Sequence, residues 1–287
     1  MRPSPWPMSD PDSLRHVEAN GLRFAYFERG EGPLVLALHG FPDTAHTWDA
    51  VRPALAADGY RVVTPFMRGY PPTQIPARDD YDADTLGRDA LALIEALGER
   101  AAVLLGHDWG ASAAFSAVGL APERVRALVT MAVPHPARLR PTPRLLWTFR
   151  HFVTLTLPGA AARARKDDFA TIDALVRRWS PAWDVPASET AAVKRCFAQP
   201  GALEAALGYY RALRPRPPQS QRRKVAAPSA AFAGTEDVIS PELYEAARPQ
   251  YLEHYEVVRV PGGHFMHREH PEIFTRELRR VLKELLA

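Results

Sequence analysis

The sequence predicts an α/β protein: a mostly parallel sheet covered by helices on both faces and interrupted once by a helical insertion. Three observations carry that reading. Short runs rich in Val, Leu and Ala (PLVLALHG, YRVVTPF, AAVLLGH and VRALVTMAVP) alternate with helix-like segments such as TWDAVRPALAADG and TLGRDALALIEALG. Continuous apolar runs, unlike alternating ones, suit strands buried on both faces of a parallel sheet. After MAVPHP the rhythm stops, and from about residue 138 to 224 the chain is helix-like, with aromatic residues, prolines and arginines. The rhythm then resumes with APSAAFAGTED, a helix from SPELYEAARPQ, the strand HYEVVRVPGGH and a closing helix PEIFTRELRRVLKELLA. Because strands return, the helical stretch reads as an insertion over one end of the sheet. The expected division is a core of residues 1–134 and 225–287 with a helical cap over 135–224. There is no internal repeat and no coiled coil.

Ahead of the first buried strand, LRHVEANGLRFAYFERG reads as a β-hairpin, with Asn20-Gly21 supplying the two positive-φ positions of a type I′ turn. The leading MRPSPWPMSDP is rich in proline and has no apolar core, so it reads as a short disordered lead and not as a secretory signal. An apolar share of 46% is that of an ordinary globular chain. No stretch approaches the about 18–20 apolar residues that span a bilayer. The lone cysteine, Cys196, has no internal partner, which fits a reducing compartment, and a cytoplasmic location is expected. Net charge is +3, with arginine far outnumbering lysine. The densest basic groups, Arg138/Arg140/Arg144 and Arg214/Arg216/Arg222/Arg223/Lys224, are interleaved with prolines instead of sharing one helix face. They read as solvated surface, and neither a nucleic-acid nor a membrane partner is expected.

GHDWG, residues 106–110, follows the apolar run AAVLL and precedes a stretch of small residues. A strand that turns sharply into a helix holds its turn residue in a strained conformation and needs small neighbours two positions away, as Gly106 and Gly110 are. The free N–H groups of the helix start favour an anion there. Asp108 then stands exposed as an ionised nucleophile. The plainer reading, that Asp108 caps the next helix, fits the pentapeptide equally well.

Three further features favour catalysis. His39-Gly40-Phe41-Pro42 ends an earlier strand, where the Phe41 N–H can join the Trp109 N–H in a two-donor oxyanion hole. AGTEDVISP ends a later strand with Asp237, and VPGGHFMHREHPE presents His264 after two glycines at the end of the last. The order nucleophile, acid, histidine, each at a strand end, is the hydrolase order. Glu236 is the alternative acid, and His267 and His270 are the alternative bases.

With these motifs in view, the chain resembles an α/β-hydrolase of the epoxide hydrolase branch, related to the haloalkane dehalogenases, in which aspartate replaces the usual serine. The resemblance covers residue 17 to the C-terminus through HGFPD, MRGYPPT, GHDWG, WSPAWD, YYR, GTED and GGHF, and no G-x-S-x-G offers a serine instead. It implies an eight-stranded sheet with an inserted cap, no cofactor, no metal, and a small hydrophobic epoxide and water as partners of a monomer or homodimer. A carboxylate attacking an sp³ carbon gives an ester that activated water then hydrolyses. His264 is the implied base, Asp237 its orienting acid, and Phe41 and Trp109 the oxyanion donors. Cap tyrosines usually assist ring opening in this branch. LGYYRAL puts Tyr210 at one such position, and counting back from Pro158 puts His151 where the second would stand. The resemblance also implies a substrate pocket formed by His39, Pro42, Trp109, Trp147 and Phe265. Dehalogenation is the first alternative: Trp109 supplies one halide donor, and Trp147, Trp179 and Trp183 are candidates for a second, although WSPAWD reads as cap packing. Fluoroacetate-type relatives carry arginine where this chain has Trp109. A ligand-binding protein with weakened catalysis is the remaining alternative.

Overall fold

Asn20 and Gly21 turn the first strand back on itself. In a computed structural model that describes residues 13–139 and 142–287, their φ angles are 44° and 75°. They join β1 (Arg15–Ala19) to β2 (Leu22–Arg29) in the antiparallel hairpin expected from the sequence. The remaining strands are β3 (Leu34–Leu38), β4 (Arg61–Pro65), β5 (Ala102–His107), β6 (Val125–Met131), β7 (Ser229–Gly234) and β8 (Tyr255–Val260). They form one sheet in the order β1-β2-β4-β3-β5-β6-β7-β8. β2 pairs antiparallel with β4, and every later pair is parallel. The proline-rich lead and Arg140 lie outside the described residues.

The apolar runs behave as their composition requires. β3, β5 and β7 are buried along their whole length, and alternate side chains enter opposite layers. Leu34, Leu36 and Leu38 join the core on one face, while Val35 and Ala37 join that on the other. α1 (Arg52–Ala57) packs on the second face. α2 (Ala83–Ala96) and α3 (Trp109–Leu120) pack on the first, where the alanine-rich α3 is apolar all round and almost wholly buried.

Between β6 and β7 come α4 (Pro143–Thr148), α5 (Arg150–Thr156), α6 (Ala160–Ala164), α7 (Lys166–Trp179), α8 (Ala191–Phe197), α9 (Ala202–Arg211) and α10 (Gln219–Arg222). Their buried residues are continuous with the first core layer. After β7 follow α11 (Pro241–Glu245), α12 (Met266–Glu269) and α13 (Pro271–Leu285). α13 is amphipathic and lays Phe274, Leu278, Val281, Leu282 and Leu285 on the second face. No helix among the described residues is long and apolar enough to cross a membrane.

Register brings the chemistry to one edge. Leu38 pairs with Gly106, Gly106 with Thr130, Met131 with Phe232 and Gly234 with Val260. The carboxyl ends of β3, β5, β7 and β8 therefore finish together, beneath the inserted helices. One buried ion pair secures that arrangement. Arg68 reaches both carboxylate oxygens of Asp89 on α2 at 2.7 Å, and Asn20 donates to the same carboxylate at 2.6 Å. From above, the Tyr209 hydroxyl of α9 donates to the Arg68 carbonyl at 2.7 Å. Removing one partner of a buried pair leaves an uncompensated charge, a loss of about 3–5 kcal/mol. Arg68→Met is therefore expected to lower the unfolding free energy by about that amount in urea titration. A change below about 1 kcal/mol, the scale of an exposed pair, would show that the pair does not hold this edge.

Candidate active site

Asp108 leaves β5 with φ 50° and ψ −113°, outside the regions an L-residue ordinarily adopts. Such a conformation costs of order 1–3 kcal/mol and persists only where its surroundings over-determine it. Here the surroundings are glycines. A Cβ on Gly110 would collide with the Leu38 carbonyl, and one on Gly40 with the Asp108 side chain itself. The strained bend decides between the two readings of the aspartate. Its side chain makes no capping bond to α3. Instead Oδ1 accepts the Phe41 N–H at 2.8 Å, while Oδ2 faces His264 Nε2 at 3.6 Å.

His264 Nδ1 lies 3.6 Å from Asp237 Oδ2, whose side chain is fully buried. Both distances are those of ion pairs, slightly longer than hydrogen bonds. The alternatives point elsewhere. Glu236 is exposed and accepts the Gly262 N–H, His270 is exposed, and His267 is buried against the Thr47 hydroxyl at 2.6 Å. Burial opposes charge on His264, but Asp237 and Asp108 outweigh it and raise the imidazole to about 10. Burial would likewise push Asp108 up. The facing His264, then His107 and the Phe41 N–H, overcome it and hold the carboxyl below its ordinary range. The resting site is thus an imidazolium between two carboxylates.

A buried polar layer that the sequence reading missed locks three loops beneath this trio. His107 Nε2 donates to the His264 carbonyl at 3.1 Å, and its ring stands 4.7 Å from that of His267. Arg268, next to His267, reaches Asp43 of the HGFPD turn at 3.0 Å. Among the described residues, Asp43, His107 and His267 form the group that brings metal-type donor atoms within 4.8 Å of one another. The Asp43 charge that a cation would answer is already matched by Arg268. The inserted helix α7 joins the lock as well, since the His264 N–H donates to the Trp179 carbonyl at 2.9 Å.

Above the trio lies a cavity of about 430 Å³ whose lining includes Asp108, Trp109, His151, Trp179 and His264. Trp179, set aside as packing in the sequence reading, stands 5.0 Å from His264 and 4.8 Å from His151, ring to ring. Trp183 packs near Phe265 instead. Tyr210 is buried in a ring of aromatic groups, edge-on to Phe41 and Trp109 at 5.2 Å and 5.9 Å from His151. Contrary to the sequence expectation, Tyr210 is not among the cavity-lining residues, whereas its neighbour Tyr209 is, with its hydroxyl donating to the Arg68 carbonyl. Burial, then the Asp108 charge, push the Tyr210 phenol well up, against an opposing interaction with the Trp109 side chain.

Four expected pocket residues do not line the cavity. Trp147 is 69% exposed, because α4 turns Thr148 toward the cavity and Trp147 toward solvent, where Arg150 covers its ring. His39 is fully buried and structural: its Nε2 accepts the Met67 N–H at 3.0 Å. Pro42 and Phe265 are likewise buried outside the lining, Phe265 against His107. His151 does line the cavity, but its state differs from the one expected. Its Nδ1 faces the Thr148 carbonyl at 3.3 Å. A carbonyl only accepts, so Nδ1 carries the proton and Nε2 offers a lone pair. Burial and the nearby Arg178 lower this imidazole to about 4, so it is neutral at physiological pH and not a donor through Nε2.

Comparison with known proteins agrees with this architecture. The family model for the alpha/beta hydrolase fold matches residues 33–271, and the chain belongs to that family. An AB hydrolase superfamily protein of Bacillus subtilis, YfhM, is 29% identical over 277 residues, covering 93% of this chain and 96% of its own. An epoxide hydrolase of Caballeronia sordidicola is 41% identical over 123 residues, covering 42% of this chain and 37% of its own. The crystal structure of a Bacillus megaterium epoxide hydrolase with an inhibitor superposes with a TM-score of 0.83 at 24% identity, covering 94% and 100% of the two chains. That likeness shows the shared fold.

The sign of the pH dependence follows from the raised imidazole. His264 contributes its ion-pair stability in full below 6.5, and that contribution is lost as pH rises through about 10. In a nuclear magnetic resonance titration of the resting protein, the ring is expected to remain imidazolium through pH 8. Asp108→Asn is expected to move its titration down. A ring that titrates near 6.5 in both proteins would mean that the carboxylates do not hold the proton.

Proposed function

We propose that this protein is an epoxide hydrolase that opens an oxirane to a vicinal diol through a covalent ester on Asp108. The observation that carries the reading is the Asp108 carboxylate at its strained bend, fixed by the Phe41 N–H at 2.8 Å and faced by His264 at 3.6 Å. The relatives named as epoxide hydrolases support it. The catalytic unit is taken as a core of residues 1–134 and 225–287 under a cap of 135–224.

In the first step a free Asp108 oxygen attacks an oxirane carbon, and the carbon–oxygen ring bond breaks. The Tyr210 hydroxyl protonates the leaving alkoxide. An indole N–H can only donate, so Trp109 holds the phenol oxygen without consuming its proton. His151, its ring 5.9 Å from that of Tyr210, offers the cavity an acceptor. Forming the ester removes one of the two carboxylate charges, Asp237 and Asp108, that keep His264 protonated, and so lowers its hold on the proton. Its proton is released to restore Tyr210, and the neutral imidazole becomes a base.

In the second step His264 takes a proton from water, and the hydroxide attacks the ester carbonyl. Phe41 and Trp109 N–H groups receive the developing oxyanion. Collapse expels the diol oxygen, which takes its proton from His264. The Asp108 carboxylic acid then returns a proton to His264, so the resting ion pair is restored and the balance is epoxide plus water to diol. Dehalogenation is the second reading: Trp147 faces solvent and Trp183 packs near Phe265, but Trp179 lines the cavity with Trp109, and it is the relatives named as epoxide hydrolases that favour the oxirane.

The test uses styrene oxide and intact-mass measurement. His264→Gln is expected to be alkylated by one substrate mass and to hold the adduct, because no base activates water. In Tyr210→Phe/His264→Gln the adduct is expected to form about 100-fold more slowly. No adduct in the first protein contradicts the covalent scheme, and equal rates in the two assign Tyr210 to packing.

A further inference from the structure

The cavity has an exposed rim that ring opening leaves unexplained. Its lining runs from the buried floor at Trp109, Trp179 and His264 to the exposed segment Leu213–Arg216 that follows α9. Arg214 and Arg216 both line the cavity there. Pro215, Pro217 and Pro218 fix φ on either side of them and stiffen the strap that carries them. Among the described residues neither guanidinium has an acidic partner. By contrast, Arg211 pairs with Asp79 at 3.1 Å and Arg223 donates to the Gly119 carbonyl at 2.8 Å. The other carboxylate in the lining beside Asp108 is Asp82, and its oxygens are taken. Oδ1 accepts the Asp84 and Thr85 N–H groups at 3.0 and 3.1 Å, and Oδ2 accepts the Thr85 hydroxyl at 2.7 Å, capping α2. The lining also includes the apolar side chains of Val133, Leu139, Phe149 and Phe152.

We infer that the cavity is built for an amphipathic epoxide, with the oxirane at Asp108, an apolar spacer along the wall and a carboxylate-class anion on Arg214 and Arg216. The inference rests on the reading of Asp108 as the epoxide-opening nucleophile, but it concerns separate residues. A guanidinium matches a carboxylate with two parallel hydrogen bonds, and two unpaired guanidiniums on a stiff strap lose little freedom in doing so. Because both are exposed, the gain is modest and sensitive to salt.

The experiment compares glycidyl ethers whose alkyl chain ends in a carboxylate with those of equal length ending in a carboxamide, over a series of chain lengths. At low salt the carboxylate is expected to have a kcat/KM about tenfold higher at the best-fitting length, the scale of two exposed ion pairs. The ratio is expected to fall toward one in Arg214→Gln/Arg216→Gln, and also at about 1 M salt, where the screening length is about 3 Å. Equal values at every length, or a preference that survives the double substitution, would overturn the inference. Calorimetry with unreactive decanoate and decanamide separates the two readings. Decanoate is expected to bind about tenfold more tightly to the wild-type protein and to lose that advantage in the double variant. Absence of a preference overturns the anion site even if diol forms. A preference without diol from any epoxide upholds the anion site and overturns the hydrolase reading alone.

Discussion

The bend at Asp108 is the constraint on which the rest of the site depends. β5 and α3 meet so closely there that Gly110 lies against the Leu38 carbonyl, and the HGFPD turn crosses so near that Gly40 lies against the aspartate itself. These contacts leave the Asp108 backbone one conformation, at φ 50°, and that conformation turns the carboxylate away from its own helix. A relaxed aspartate at the same position would cap α3 and be chemically inert. The strain is held by the fully buried strands β3 and β5 on one side and the buried α3 on the other. Stability of the core and reactivity of the side chain are therefore one property.

Charge organises what the backbone exposes. Taken singly, Asp108 and His264 are each disfavoured by burial in their charged form. Together they are opposite in sign, and each repays the other's loss of water. The arrangement has a consequence for timing. An imidazolium cannot act as a base, yet it is what the resting site contains. In the proposed reaction, esterification of Asp108 removes one of the two charges that stabilise the proton, so the base becomes available just when the next step, hydrolysis of the ester, needs it. The polar layer beneath, from Asp43 through Arg268 to His107 and the His264 carbonyl, keeps the three loops in register while charge moves above them.

Most of the frame was legible in the sequence. Asn20-Gly21 demanded positive φ at two successive positions, and the unbroken Val/Leu runs demanded burial on both faces. The elbow was legible because Gly106 and Gly110, two positions either side of Asp108 at a strand end, permit that close approach. Side-chain direction in the helical insertion was not. Trp147 and Trp179 look alike as sequence, but the tilt of α4 and α7 puts one in solvent and the other over His264. Position alone likewise suggested a donor at His151. Its tautomer depends on the Thr148 carbonyl one turn away, which only the folded helix brings within reach. Asp43, His107 and His267 are separated by most of the chain, so their grouping was invisible before the loops were placed.

The central claim, that Asp108 bonds to carbon and is later relieved by water at its own carbonyl, is open to one direct measurement. Enzyme in excess over epoxide is mixed once in water enriched in heavy oxygen, and both the diol and the peptide containing Asp108 are weighed. The expected result is unlabelled diol, carrying an oxygen from the aspartate, together with heavy oxygen in that peptide. Heavy oxygen in the diol with an unlabelled Asp108 would mean that water attacks the epoxide directly, and the covalent mechanism would be wrong.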